Sequence, residues 1–342
     1  MQKTAYSAFG SIHPVHDPAG KRIRWFCPRL ISESKVLGQA LGKMTRMDDQ
    51  TNVTRLTLRV VSHGDLPPGC KDQIANRGFE VEAKIPMGGV RNLVMTYIGK
   101  CKQERHSDSD DIQQEQLLLD AILQQERKGP ASILEKFYQL ADFRVEQLAA
   151  DNLSTTDFDR LVSMHKEIFP TFPYDFRKKL GMMLRQPDNY RMVIVRSILN
   201  GQIYAFSNLE LNTLTLDDGS RLCLAEYDNS MRAISCSDHK VIKGLGAVVR
   251  LELASIAARC NADLCHSESR ASLAAINDIS HQIGMCFGGA LEKHLLISGQ
   301  YDIEYMVPSR FETMNVWYLG RKALRSLEVE YRIGLEKFNR AQ

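Results

Sequence analysis

The sequence predicts a mixed α/β fold of the α+β kind: a twisted, mostly antiparallel sheet flanked by helices, with a smaller module ahead of it. Three observations predict this. Residues 190–235 read as a three-stranded antiparallel meander, turning at Asn200-Gly201 and at Asp217-Asp218-Gly219-Ser220. A glycine-bearing turn and a long amphipathic run follow, then strand, helix, strand, strand. Residues 53–98 show that same closing order once already.

In chain order, residues 1–50 show little beyond a short helix in "ISESKVLGQALGKM". "VTRLTLRVV" (53–61) is a β-branched strand. "CKDQIANRG" reads as a helix stopped by Gly78. "FEVEAKIP" alternates like a half-buried strand, and "NLVMTYIG" (92–99) is another. The polar stretch 102–116 reads as an exposed linker. Helices follow around 112–127 and 131–141, separated by Gly129-Pro130. "STTD" opens an amphipathic helix over 154–169, and the aromatic, proline-broken "FPTFPYDF" (169–176) is a loop. After the meander and the glycine turn come a strand at 262–269, a helix at 270–284, the strand "MCFGGALEKHLLI" and a last strand at 311–320.

At 342 residues the chain has room for one large or two ordinary domains. A net charge of +3 with no basic patch gives no support to a nucleic-acid partner. No apolar run reaches the about 18 residues a membrane span needs. The N-terminus lacks a signal-peptide layout, and the eight cysteines never form a CxxC pair. A cytoplasmic location is the expectation. His13, His16 and Asp17 form an HxxHD, which reads as solvated, and Cys265 and His266 point to opposite faces of a strand. No metal is expected. The sequence leaves the oligomeric state open.

The stretch "KVIKGLGAVVRLELA" (240–254) poses the functional question. From Gly244 onward, Leu245, Val248, Val249, Leu253, Ile256, Ala257 and Cys260 line one helical face. A helix N-terminus offers free N–H groups and partial positive charge, which suit a pyrophosphate. Glycine lets backbone approach a ligand closely, and Lys240 and Lys243 add charge. Plain helix packing is the commoner reason for a glycine at this place. The chain has no GxxxxGK[ST], and an antiparallel meander disfavours a dinucleotide fold.

The order meander, glycine turn, helix, strand, helix, strand, strand resembles the GNAT acetyltransferase fold. "AEYDNSMRAIS", "SRASLAAIN" and "FETMNVWYL" look like segments of β-lysine N6-acetyltransferases, as do "FPTFPYDF", "RGFEVEAKIP" and "MTYIG". The resemblance spans roughly 53–99 and 150–320. It implies an acetyltransferase domain over 146–325, and the repeated order of elements before it marks an N-terminal module (1–101) as a GNAT-like remnant, with a linker and helices (102–145) between and a tail (326–342) after. It implies acetyl-CoA as cosubstrate and a small amine as acceptor, β-lysine or a relative. The chain departs from the family pattern at Val241, where arginine or glutamine is usual, at Ile242, which replaces a glycine, and at Ser280, where many members carry a tyrosine acid.

The resemblance also distributes roles. Glu226 is the candidate general base; its bland alternative is a carboxylate paired with an arginine. Ser230, Met231, Lys243, Gly244, Leu245, Gly246 and Asn277 are candidates to hold the cosubstrate, the backbone near 229–231 polarising the thioester. Tyr174, Asp228, Arg270, Glu312 and Asn315 are candidates to hold the acceptor. Glu226 and Asp228 share a strand face, which suits a cationic substrate. The expected reaction is direct acetyl transfer in a ternary complex. The rival is a non-catalytic CoA-ester binder or scaffold, motivated by Val241, Ile242 and Ser280; another acyl donor is a further alternative.

Overall fold

β-Branched and aromatic residues at alternate positions build twelve strands in one sheet among the described residues. The computed structural model describes residues 15–17, 21–51, 53–88, 92–102, 109–140, 142–168, 175–233, 239–297 and 310–341. In chain order the first elements are β1 (Val15–Asp17), β2 (Arg22–Ile31), α1 (Ser34–Gln50), β3 (Arg55–His63), α2 (Cys70–Ala75), β4 (Glu80–Pro86) and β5 (Leu93–Cys101). The middle holds α3 (Ser109–Leu123), α4 (Gly129–Tyr138), β6 (Phe143–Leu148), α5 (Thr155–Ile168), α6 (Phe176–Arg185) and β7 (Tyr190–Ser197). Then come β8 (Ile203–Thr215), β9 (Arg221–Arg232), α7 (His239–Arg259), β10 (Leu264–Arg270), α8 (Ala274–Gln282), β11 (Cys286–Ile297), β12 (Arg310–Gly320) and α9 (Arg321–Ala341).

The spatial order is β1-β2-β3-β5-β4-β11-β12-β10-β9-β8-β7-β6. Two units lie within it. The element order β1-β2-α1-β3-α2-β4-β5 recurs as β8-β9-α7-β10-α8-β11-β12. In each, the outer pair is antiparallel, the next pair is parallel, and the last three strands are antiparallel.

The units meet where β4 joins β11 at the single register pair Gly289↔Ala83. Gly289 has φ +140, and a Cβ there would lie 2.3 Å from the Glu82 carbonyl oxygen. Only glycine lets the two backbones come this close.

Beyond the junction the sheet curls, so that the inner faces of both units share one core. Phe26, Val61, Met95 and Tyr97 pack there with Leu222, Leu224, Leu264, Leu291 and Val316. The outer faces carry helices: α1 and α2 on the first unit, and α7 with α4 and α9 on the second. Helices α5 and α6 cover the ends of β7, β8 and β9.

Several expectations need correction. The stretch 102–116 is not wholly a linker, because α3 begins at Ser109. Gly129-Pro130 stands between the two helices, as expected, at the opening of α4; proline fits a first helical turn, where its missing N–H is not needed. Strand β6 escaped notice, being only six residues long. The segment after 325 is the greater part of α9, which buries Leu324, Leu327 and Tyr331 against α4 and α7. Helix α8 starts at Ala274, so Arg270 ends a strand instead of heading a helix.

Candidate active site

The parallel pair β9–β10 runs from Leu224/Leu264 to Tyr227/Ser267 and stops. Strand β9 continues to Arg232 and β10 to Arg270 without further pairing to each other. On its other edge β9 bulges. Ser207 pairs with Ser230 and Leu209 with Tyr227, so Asp228 and Asn229 share one opposing residue, Asn208. A bulge leaves backbone groups out of the ladder. The backbone near 228–230 is thus freed at the head of a gap between two strands.

A cleft of about 360 Å³ occupies that gap. Its walls are Ser230, Met231 and Arg232 of β9, Gly246 and Val249 of α7, and Ser272, Leu273, Ile276 and Ile279 of α8 and the turn before it. Most of these are apolar, which fits an extended uncharged chain such as an acyl-pantetheine arm. The sequence candidates Ser230, Met231 and Gly246 come together here.

The glycine turn is a correction. Helix α7 begins at His239, so Gly244 and Gly246 lie more than a turn inside it. Their N–H groups are engaged by the helix, and the free donors are those of the first turn. Gly246 instead makes room for a neighbour: a Cβ there would sit 3.1 Å from Ile279 Cδ1. Leu245 is fully buried against the sheet, so it offers nothing to a ligand. Lys243 lies in the second turn of α7.

The closing motif shapes the cleft wall from behind. Arg270 Nε donates to Glu312 Oε2 at 2.7 Å, and Ser272 donates to Glu312 Oε1 from its backbone N–H at 3.2 Å and from its hydroxyl. Asn277 Nδ2 donates to the carbonyls of Arg270 and Leu273, each at 2.8 Å. Its Oδ1 accepts from Asn315 Nδ2 at 3.1 Å and Trp317 Nε1 at 2.8 Å. Glu312, Asn315 and Asn277 are all buried. These contacts hold the turn 270–273 in place. Arg270, Glu312 and Asn315, expected at the acceptor, and Asn277, expected at the cosubstrate, are thus bonded to one another and to this turn.

On the inner face of the sheet lie Glu226 and Asp228. Lys179 of α6, itself buried, forms an ion pair with Asp228 Oδ2, so a protein ammonium stands where a substrate ammonium was expected. Asn208 and Asn229 also donate to that oxygen, at 3.3 and 2.9 Å. Glu226 Oε2 is 3.6 Å from Arg59 Nη1, whose other neighbour is Glu268 Oε1 at 3.8 Å. His294 Nε2 lies 3.5 Å from Glu268 Oε2.

Burial pushes the Glu226 carboxyl up to about 8; Arg59 opposes this, while Glu268, Glu210 and Asp228 add to it. Glu268 also suffers burial, yet His294 and Arg59 hold it well below the usual carboxylate range. Burial and Arg59 push His266 down to about 3. Two neighbouring carboxyls thus differ in charge at neutral pH, a pattern that marks acid–base sites.

Tyr174 lies outside the described residues. Arg59, Tyr97, Glu268 and Lys179 were missed in the sequence. One signal was present: Arg59 sits inside the strand "RLTLRVV", where a charged residue among β-branched neighbours needs a partner. Among the described residues no group of three or more His, Cys, Asp and Glu side chains could hold a metal ion.

No family model matches the chain, and no curated protein matches it. Solved structures align with about half of it. The ribosomal-protein-S18-alanine N-acetyltransferase of Escherichia coli aligns over 52% of this chain and 93% of its own, at 18% identity and a TM-score of 0.37. The spermidine N-acetyltransferase of Vibrio cholerae, in complex with CoA and spermine, aligns over 54% and 99%, at 11% and 0.39. The ribosomal-protein-alanine N-acetyltransferase of Brucella melitensis aligns over 52% and 98%, at 12% and 0.38. Likeness at this level assigns neither a residue's role nor a substrate.

Proposed function

We propose that the chain is a GNAT-type N-acetyltransferase that moves acetyl from acetyl-CoA to the amine of a small amino-acid-like metabolite. The observation that carries this is the opening of β9 from β10 beyond Tyr227/Ser267, with an apolar cleft on the α7–α8 side and Glu226 on the other. The gap gives a thioester held in the cleft a path to the inner face.

Each chemical requirement has a residue. An alkylamine with a pKa of about 10.4 must lose a proton before it attacks. Glu226, poised near 8, accepts it directly or through water. The bulged backbone at 228–230 supplies N–H groups to the carbonyl oxygen as it gains charge. The first turn of α7 offers its free N–H groups to a phosphate, one turn earlier than Gly244. The amine nitrogen bonds to the acyl carbon, the carbon–sulfur bond breaks, and the thiolate leaves and takes a proton. Within small amines, the sequence resemblance favours β-lysine.

The test is incubation with acetyl-CoA and a panel of amines, β-lysine and spermidine included. Thiol release is followed, and the product is weighed by mass spectrometry. An amine-dependent thiol release that Glu226→Gln removes supports the reading. Acetyl-CoA turnover independent of every amine contradicts it.

A further inference from the structure

The inner face carries a chain of charged side chains of which the transfer chemistry uses only the first. It starts at Glu226 and passes through Arg59 to Glu268 and His294. It then reaches Arg55, whose Nε donates to His294 Nδ1 at 3.2 Å and whose Nη2 donates to Glu82 at 2.6 Å. Arg59 and Arg55 belong to β3 and Glu82 to β4, all in the first unit; Glu226, Glu268 and His294 belong to the second. The curl of the sheet brings them together.

Arg59 has the central place. Its side chain is 3% exposed, while those of Glu226 and Glu268 keep 18% and 13%. The arginine is therefore the walled-in member, and the carboxylates keep the edge that water or a small substrate reaches. Its guanidinium also lies 5.7 Å from the Tyr97 ring, which orients it from β5. One guanidinium nitrogen, Nη1, faces both carboxylates, Glu226 at 3.6 Å and Glu268 at 3.8 Å, at the head of the β9–β10 gap.

We propose that Arg59 is a positioning residue for Glu226, so that the first unit completes the acceptor site built by the second. The inference rests on the transfer reading above and deepens it. Removing Arg59 would leave Glu226 facing Glu268 with no cation between. The other charged or titratable groups around Glu226 are Tyr97 on β5, His266 on β10, Glu210 on β8, and Asp228 with Lys179 of α6. None of these supplies a cation to replace it directly, because Lys179 is held by Asp228.

The experiment is a titration of the Glu226 carboxyl by difference infrared spectroscopy on the full chain. Each protein is compared with its own Glu226→Gln counterpart. Acetyl-CoA affinity is measured on the same samples by calorimetry. Arg59→Gln is expected to raise the titration midpoint by about one pH unit or more, since a lost cation favours the neutral acid. Acetyl-CoA affinity should stay within about twofold, because Arg59 does not line the cleft. Arg59→Lys should raise the midpoint by less. A midpoint in Arg59→Gln equal to that of the natural protein overturns the proposal. Should Arg59→Gln fail to fold, Arg59→Met, which keeps the apolar stem without the charge, decides: an upward shift supports the proposal and an unchanged midpoint overturns it. Acetyl-CoA binding to neither protein would overturn the transfer reading, while the midpoint would still judge Arg59.

Discussion

Between Val15 and Cys101, and again between Ile203 and Gly320, the chain runs through the same order of strands and helices. In the first unit the parallel pair stays closed. Strand β2 pairs with β3 from Arg22/Arg55 to Phe26/Arg59 and again at Leu30/Val61 and Ile31/Ser62. In the second, β9 and β10 part after Tyr227/Ser267. The connections differ too. Strand β2 ends at Ile31 and α1 begins at Ser34, whereas β9 ends at Arg232 and α7 begins at His239.

Glycine does not make the difference. Gly38 of α1 faces Gln73 of α2, where a Cβ would lie 2.9 Å from Oε1; Gly246 of α7 faces Ile279 of α8 at 3.1 Å. Both units use glycine to let two helices approach. The cleft between α7 and α8 lies where the strands also separate. The closed unit contributes Arg59 to the shared interior instead.

The largest expected effect breaks the junction between the units. Gly289→Val combines a left-handed φ with a clash against β4, and should cost about 3 kcal/mol or more. Thermal unfolding reads this as a large fall in Tm or as loss of soluble protein; an unchanged Tm would mean that the units do not depend on this contact.

Next comes Glu226→Gln, which should lower kcat at least about 100-fold with acetyl-CoA affinity kept. In the natural protein kcat/KM should rise with pH through about 8, as the base loses its proton. The sign for stability is opposite. A carboxyl raised in the folded state contributes stability below its ordinary range and loses it as pH rises from there through about 8. Relative to Glu226→Gln, the natural protein should therefore lose Tm across that window. A parallel pair of Tm curves would contradict the raised carboxyl.

The smallest effect sharpens the reading of α7. Gly244→Ala should raise stability by about 0.5–1 kcal/mol, because a Cβ there meets nothing within 4 Å and alanine favours helix. A fall in stability would return Gly244 to a turn.

Much of the second unit was legible in the sequence, because alternation and the turns at Gly201 and Gly219 mark the meander directly. The order of elements over 53–98 was legible for the same reason. The helical status of Gly244 was not, since glycine is compatible with a turn and with a helix interior. The closing "ETMNVWY" stood out, but its work could not be read. Glu312 and Asn315 act on Arg270, Ser272 and Asn277, partners about forty residues away in sequence that only the β10–β12 pairing and the packing of α8 bring close. Arg59 was further from reach. Its contact with Glu226 depends on the curl of the whole sheet, which no local pattern encodes.

The most direct measurement is a calorimetric titration with acetyl-CoA of the natural protein, Gly246→Leu and Gly38→Ala. The account predicts saturable binding to the natural protein and to Gly38→Ala, and at least tenfold weaker binding to Gly246→Leu, whose side chain enters the cleft between α7 and α8. Absence of binding to the folded natural protein, or equal binding by Gly246→Leu, would contradict the claim that the opened β9–β10 gap is an acyl-CoA site.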